Sequence, residues 1–253
     1  MRRSPDPGIA VSANSTPALA LPRGSAARTR RGGVVDRYFY FSMTLLIAAV
    51  VIYGFSHTIF HTFGPGSHPR LRVYIHATLF SSWVWLLIVQ STLVRAARVA
   101  WHRTLGWLGV AMGALIPPVG VITQLHAGSV EVALPSGLWD MFAFGSTFLA
   151  AVILRKRPEF HRRLILAATC ALTGAAFGRF PEEMFLSHYG YAGVDLLLLL
   201  GAARDFWVDG TVNRVYRYVL PFFVLGQTLV IYTAGQHPDL WRRVADWMMS
   251  MGA

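Results

Sequence analysis

Residues 73–94 read VYIHATLFSSWVWLLIVQSTLV, and this stretch decides the fold class of the chain. It contains no Lys, Arg, Asp or Glu, and about 20 apolar residues suffice for one α-helix to cross a bilayer. Six further apolar stretches lie near 38–56, 105–125, 138–154, 163–180, 190–203 and 218–235. The sequence therefore predicts an all-α polytopic membrane bundle with seven transmembrane helices.

The composition of the chain excludes several other classes of protein. Apolar residues make up 54% of the 253 residues and charged residues only 14%, whereas a soluble domain has about 25% charged residues. The net charge of +11 does not indicate nucleic-acid binding, because the basic residues lie between the apolar stretches and form no single basic face. Cys170 is the only cysteine, so the chain can form neither a disulfide framework nor a thiolate metal cluster.

The distribution of positive charge predicts the orientation of the bundle. With seven helices, 18 of the 23 Lys and Arg residues fall on the side of the N-terminus and five on the other side. Loops rich in Lys and Arg stay in the cytoplasm. We therefore expect a cytoplasmic N-terminus and an extracytoplasmic C-terminus. The expected organisation is a disordered basic tail at 1–35, the transmembrane domain at 36–235 and an interfacial amphipathic helix at 236–253.

Two of the connections predicted on the cytoplasmic side repeat each other. LVRAARVAWHRTLGWLG at 93–109 and ILRKRPEFHRRLILAA at 153–168 both place a basic turn and His-Arg-x-Leu between apolar helices. Together with LWDMFAFGSTF at 138–148 and YAGVDLLLLLGAARD at 191–205, they resemble a group of uncharacterised bacterial multi-pass membrane proteins. That group has a His, Gln and His-Arg-x-x-Gly pattern across two helices.

The resemblance covers the chain from about Phe39 to Thr233 and implies a location in the bacterial cytoplasmic (inner) membrane, but no activity. The resemblance also implies which positions are typical of the group. They are His57, His68, His76, Trp83, Gln90, His102, Arg103, Gly106, Asp140, His161, Arg163, Arg179, Asp195 and Asp205. The chain departs from the group at His61, and at Asn213-Arg214, where relatives often have His-Pro.

Histidines on the predicted extracytoplasmic side are the first candidate site. His57 and His61 are four residues apart, so they share one face of a helix. His76 lies about one turn into the second helix, and Asp140 enters the fourth helix from the same side. Three imidazoles and a carboxylate can bind zinc, iron or copper. The alternative is that these histidines only bond loop carbonyls at the membrane surface.

A second hypothesis for the histidines is that two of them bind one haem b. It requires two histidines at one depth on neighbouring helices. His102 and His161 meet this condition on the cytoplasmic side, and His57 with His76 meets it on the other side. The arginines next to His102 and His161 argue instead for hydrated loops or contact with an anion.

Charged residues on the cytoplasmic side have two further interpretations. Either they form ion pairs that tie the helical hairpins together, or they present a pocket to a phosphate or a lipid headgroup. The residues concerned are His102, Arg103, His161, Arg163 and Asp205.

Two charged residues are predicted to lie within the bilayer. Arg179 is near the outer end of the fifth helix, and Asp195 is one turn into the sixth. An unpaired charge in a membrane is costly. The sequence therefore predicts that Arg179 and Asp195 form an intramembrane ion pair.

Three classes of function remain open. The preferred one is a membrane redox protein that binds a transition metal or haem at the outer histidines; the alternatives are a zinc-dependent lipid hydrolase and a carrier, sensor or assembly factor without chemistry. Membrane lipids are the expected partners, and a homo-oligomer is left open. The chain has no phosphate-binding glycine loop, which argues against direct coupling to ATP.

Overall fold

The computed structural model describes residues 33–126, 130–181, 183–184 and 191–251. Every regular element in these residues is a helix, which confirms the predicted all-α class. The helices are α1 (Gly33–Phe63), α2 (Leu71–Arg95), α3 (Val99–Leu125), α4 (Val130–Ile153), α5 (Pro158–Leu172), α6 (Gly174–Phe177), α7 (Ala192–Asp209), α8 (Arg214–Gln236) and α9 (Pro238–Ser250). Most of the predicted basic tail, residues 1–32, lies outside the described residues.

Five of these helices are long and apolar enough to cross a membrane. The segments have mean hydropathies of 1.4 to 1.9, and they are Arg37–Ser56 in α1, Leu71–Arg95 in α2, Val99–Leu125 in α3, Leu134–Ile153 in α4 and Arg214–Gln236 in α8. Each overlaps one of the seven predicted spans. The other two predicted spans fall on α5 with α6 and on α7.

Large apolar side chains cover the outside of the bundle. Ile52 on α1 and Leu225 on α8 are each 70% exposed, and Trp85 on α2 is 69% exposed. Soluble proteins rarely expose continuous apolar patches of this kind. Lipid tails accept such a surface without cost, so the surface is that of a membrane protein.

Helix α5 is buried among its neighbours. Every residue from Leu166 to Ala171 is buried, and α5 packs against α4 with further contacts to α1, α7 and α8. The helix ends at Leu172, and the Thr173 hydroxyl turns back to donate to the Cys170 carbonyl at 2.6 Å. The predicted continuous helix at 163–180 is therefore two helices, because the chain turns between α5 and α6.

A cluster of aromatic rings joins the middle of α2, α4 and α5. The Trp83 ring lies 5.4 Å from Phe144 and 5.5 Å from Phe148, centroid to centroid. The Trp83 indole N–H donates to the Thr169 hydroxyl on α5 at 3.4 Å. Helix α3 closes the group at Gly113, where an added Cβ would lie 2.3 Å from the Phe148 ring. Helices α2 to α5 thus form a four-helix unit around these rings.

The C-terminal helix α9 follows α8 almost directly. It packs against α4, and to a smaller extent against α8 and α3. Ala245 is its buried residue, at 2% exposure. It lies within the predicted amphipathic segment at 236–253.

Candidate functional site

The predicted outer histidines lie in different surroundings. His61 is exposed in the last turn of α1, and the side chain of His57 lies outside the described residues. The His76 ring stacks on Phe80 with centroids 4.1 Å apart. Its Nδ1 is buried without a hydrogen-bond partner among the described residues.

Asp140, the carboxylate predicted to join these histidines, has neighbours of another kind. It is buried at 9% exposure, and the Tyr191 ring lies beside it at Gly174, with the Tyr191 hydroxyl donating to the Ser136 carbonyl at 3.4 Å. Gly174, at the start of α6, leaves it room, since a Cβ there would lie 3.0 Å from Asp140 Oδ2. Asp140 is thus held between the start of α6 and the start of α7. Across the described part of the chain, no three His, Cys, Asp or Glu side chains come together to hold a metal ion.

The predicted ion pair between Arg179 and Asp195 is not formed. Arg179 donates from Nη1 to the Ala175 carbonyl, and its guanidinium carbon lies 4.5 Å from the centre of the Phe55 ring. Asp195, in the first turn of α7, faces Gln227 of α8 instead. The prediction was wrong because Arg179 points towards Phe55 of α1, whereas Asp195 faces α8.

Arg163 and Asp205, two members of the predicted cytoplasmic set, form a bidentate ion pair. Arg163 Nε donates to Asp205 Oδ2 at 2.7 Å and Nη2 donates to Oδ1 at 2.6 Å. Arg204 Nη1 adds bonds of 2.8 Å to Asp205 Oδ1 and to Asp209 Oδ2. The Asp205 side chain is 0% exposed. This buried network joins the start of α5 to the end of α7.

The other members of that predicted set lie elsewhere. Arg103 is exposed on α3, whereas His102 and His161 line a cavity of about 110 Å³ between α2, α3, α4 and α5. Gln90 also lines it, and the rest of the lining is apolar, aromatic or glycine, including Trp83 and Phe148. The structure therefore separates the set into an ion-pair network and a histidine-lined cavity.

Gln90 determines which nitrogen of His102 carries the proton. In the amide orientation that satisfies both of its ends, Gln90 Nε2 donates to His102 Nδ1 at 2.5 Å and its Oε1 accepts from the Gly106 N–H at 3.0 Å. His102 Nδ1 is then an acceptor. The neutral imidazole then carries its proton on Nε2, which makes that nitrogen a hydrogen-bond donor.

His161 has the opposite polarity. Its Nδ1 lies 2.9 Å from the Ala151 carbonyl oxygen, and a carbonyl oxygen can only accept. The neutral ring therefore carries its proton on Nδ1 and keeps a lone pair on Nε2. Two imidazoles with opposite tautomers, one on α3 and one on α5, therefore line one cavity.

The sequence indicated part of this site and missed part. The repeated His-Arg-x-Leu marked His102 and His161, but the same pattern grouped them with arginines that point elsewhere. Arg204 went unnoticed in the ion-pair network, although it precedes Asp205 directly and could have been suggested by that adjacency. No sequence pattern marks Tyr191 as the neighbour of Asp140.

Comparison with known proteins found no relative of this chain. No family model, no curated protein and no solved structure matches the chain.

Proposed function

We propose that the chain crosses the bacterial cytoplasmic membrane seven times, with its N-terminus inside and its C-terminus outside. The ion pair between Arg163 and Asp205 brings the start of α5 and the end of α7 to one level. Ala176 of α6 packs on Gly54 in the second half of α1, which supports a crossing by α5 together with α6. Tyr40, near the start of α1, lies at the same level, with its ring 5.9 Å from the Arg204 guanidinium carbon. In a seven-span chain these three helix ends are all cytoplasmic.

We further propose that the protein binds the head group of a quinone or quinol in the cavity between α2 and α5. The observation that carries this proposal is the opposite polarity of His102 and His161 in an otherwise apolar cavity. Ligand sites of this kind combine an apolar lining with a few polar groups that fix the orientation of the ligand.

The chemistry of a quinol matches the two imidazoles. A quinol hydroxyl can donate to His161 Nε2 and accept from the His102 Nε2–H, and a quinone carbonyl can accept from His102. Trp83 and Phe148 provide aromatic surface for the ring. Such molecules dissolve in the bilayer, which surrounds the helices that enclose the cavity.

This proposal keeps a membrane redox role but assigns it to a lipid-soluble ligand and to the inner histidines. The chain itself binds the head group and accepts a hydroxyl proton at His161 Nε2. Haem b at the same pair would need a lone pair on Nε2 of both histidines. Gln90 holds His102 in the other tautomer, so quinone chemistry fits this cavity better.

The test is a titration of the purified protein, in lipid nanodiscs, with a short-chain ubiquinone. Isothermal titration calorimetry measures the heat of binding. We expect saturable binding by the wild type. The His161→Ala and Gln90→Leu variants should bind about tenfold more weakly, since each loses or disorders one hydrogen bond to the ligand. The matched control is His126→Ala, at the other end of α3, which should bind normally.

Metal analysis and a reduced-minus-oxidised spectrum of the same samples separate the alternatives. Stoichiometric haem or iron lost with His161 or His76 would contradict the quinone proposal and favour the metal-dependent redox class. Stoichiometric zinc in colourless protein would favour the hydrolase. If the protein neither binds the ubiquinone nor contains a metal, the remaining class is a carrier, sensor or assembly factor.

A further inference from the structure

Two of the five segments that are long and apolar enough to cross a membrane end at one place on the bundle. The segment in α1 begins at Arg37, and the segment in α2 ends at Arg95. Further into each helix, the hydroxyls of Thr44 and Ser91 share a hydrogen bond of 3.2 Å, so α1 and α2 pack side by side here. Both arginines therefore lie where the apolar surface of the bundle gives way to the headgroup layer.

Arg95 is held between two aromatic rings of α1. Its guanidinium carbon lies 4.6 Å from the centre of the Tyr38 ring and 4.4 Å from the centre of the Phe41 ring. A guanidinium within about 6 Å of a ring centroid is attracted to the face of that ring. Two such contacts restrict the position of this guanidinium before any ligand arrives, which lowers the entropic cost of binding one.

The hydrogen-bond donors of Arg95 are available to a ligand. The Arg95 side chain is exposed, and no hydrogen bond or ion pair with the described residues uses it. The planar fork of N–H donors in a guanidinium matches two oxygens of a phosphate at once. An acceptor that comes from outside the chain can therefore bind here.

Arg37 brings a second positive charge to the same ring. Its guanidinium carbon lies 5.7 Å from the centre of the Tyr38 ring, and its side chain is also exposed. Arg37 and Arg95 thus lie beside one aromatic side chain, although like charges repel each other. A negatively charged ligand would relieve this repulsion and a neutral one would not, so the charges of the site select an anion.

We propose that Arg37 and Arg95, together with Tyr38 and Phe41, bind the phosphate of an anionic lipid between α1 and α2, in the leaflet on the side of the N-terminus. The Arg95 guanidinium donates to two phosphate oxygens, and Arg37 supplies the second positive charge. A lipid fits this place better than free phosphate, because its acyl chains can lie along the apolar segments that end here. None of these four residues lines the inner cavity, so this proposal and the quinone proposal can fail independently.

The experiment is native mass spectrometry of the delipidated protein, titrated in a neutral detergent with phosphatidylglycerol or with phosphatidylcholine. We expect the wild type to bind the first phosphatidylglycerol more tightly than the first phosphatidylcholine. Arg95→Gln should weaken the binding of phosphatidylglycerol about tenfold, because it removes a pair of charge-assisted hydrogen bonds. Tyr38→Leu should weaken it by a smaller factor, although it removes no charge, because Arg95 is then held by one ring only.

Arg98→Gln is the matched control. Arg98 is exposed in the turn between α2 and α3, and within the described residues no aromatic ring lies against its guanidinium. It should keep most of the affinity for phosphatidylglycerol. A diffuse attraction to basic residues would be weakened equally by Arg95→Gln and Arg98→Gln, and that result would overturn the proposal.

Two further measurements complete the test. Thermal unfolding in phosphatidylcholine nanodiscs shows whether each variant folds, and Arg95→Lys replaces Arg95→Gln if the latter does not. Lysine keeps the charge but lacks the planar fork, so Arg95→Lys should also bind phosphatidylglycerol more weakly than the wild type. Equal affinity of the wild type for the two lipids would overturn the proposal as well.

Discussion

The Asp205 carboxylate is the most completely buried charge among the described residues. Two arginines from different helices, Arg163 and Arg204, donate to it, and the backbone N–H of Asn213 lies 3.3 Å from its Oδ2. Removing one member of such a buried pair is more damaging than losing a surface ion pair, because the remaining charge stays buried. A buried network of this kind therefore holds α5, α7 and the connection to α8 in one arrangement.

Asp205→Asn should destabilise the protein by about 3–5 kcal/mol, because Arg163 loses its charged bidentate partner. The measurement is equilibrium unfolding in mixed micelles with increasing sodium dodecyl sulfate. Asp239→Asn is the control, since its ion pair with Arg242 is mostly exposed, with side chains 81% and 59% accessible, and should cost little. Equal unfolding curves for the two variants would show that the Asp205 network does not stabilise the fold.

At the scale of elements, the contact between α1 and α6 depends on the absence of a side chain at Gly54. The backbone of α6 approaches α1 so closely that a methyl group has no room, with the Ala176 carbonyl oxygen 2.4 Å from the position of a Cβ. Backbone atoms cannot rotate away as a flexible side chain can. The two helices would have to separate.

Gly54→Ala should therefore destabilise the protein by about 1–3 kcal/mol, the usual cost of overpacking. Gly235→Ala is the matched control in α8, because nothing lies within 4 Å of its added Cβ and alanine favours a helix over glycine. Thermal unfolding in detergent measures both. A stabilising effect of Gly54→Ala would mean that α1 and α6 are not in contact in solution.

At the scale of the whole molecule, the number of membrane crossings decides which groups face each compartment. Five helices qualify as spans by length and hydropathy, while α5 has 15 residues and α7 contains Asp195, Arg204, Asp205 and Asp209. With five crossings the segment between α6 and α7 would lie in the cytoplasm. With seven crossings the same segment lies outside.

Cysteine labelling in right-side-out spheroplasts distinguishes these arrangements. In a Cys170→Ala background, Glu183→Cys should react with a membrane-impermeant maleimide from outside, since residue 183 follows α6 and is exposed. Lys156→Cys, exposed between α4 and α5, should react only after the membrane is permeabilised. Labelling of Glu183→Cys only after permeabilisation would support five crossings instead.

The local sequence pattern predicted the positions of the helices better than it predicted which side chains interact between them. The stretch at 73–94 and its apolar counterparts give the helices because length and hydropathy are properties of consecutive residues. Arg179 and Asp195 were paired wrongly, since the nearest charge along the chain is not always the nearest in space. His102 and His161 were recognised from their repeated motif, but their opposite tautomers follow from Gln90 and from the Ala151 carbonyl, which lie on other helices.

The sequence by itself determined that the chain is all helical and membrane-embedded, and it predicted the orientation from the asymmetry of Lys and Arg. Only the tertiary structure decided that α5 is enclosed by other helices, that two arginines donate to Asp205, and that two histidines with opposite tautomers line one cavity. The physical reason is that transfer to lipid depends on each segment's own composition. Hydrogen bonds and buried ion pairs depend on how side chains from separate helices meet.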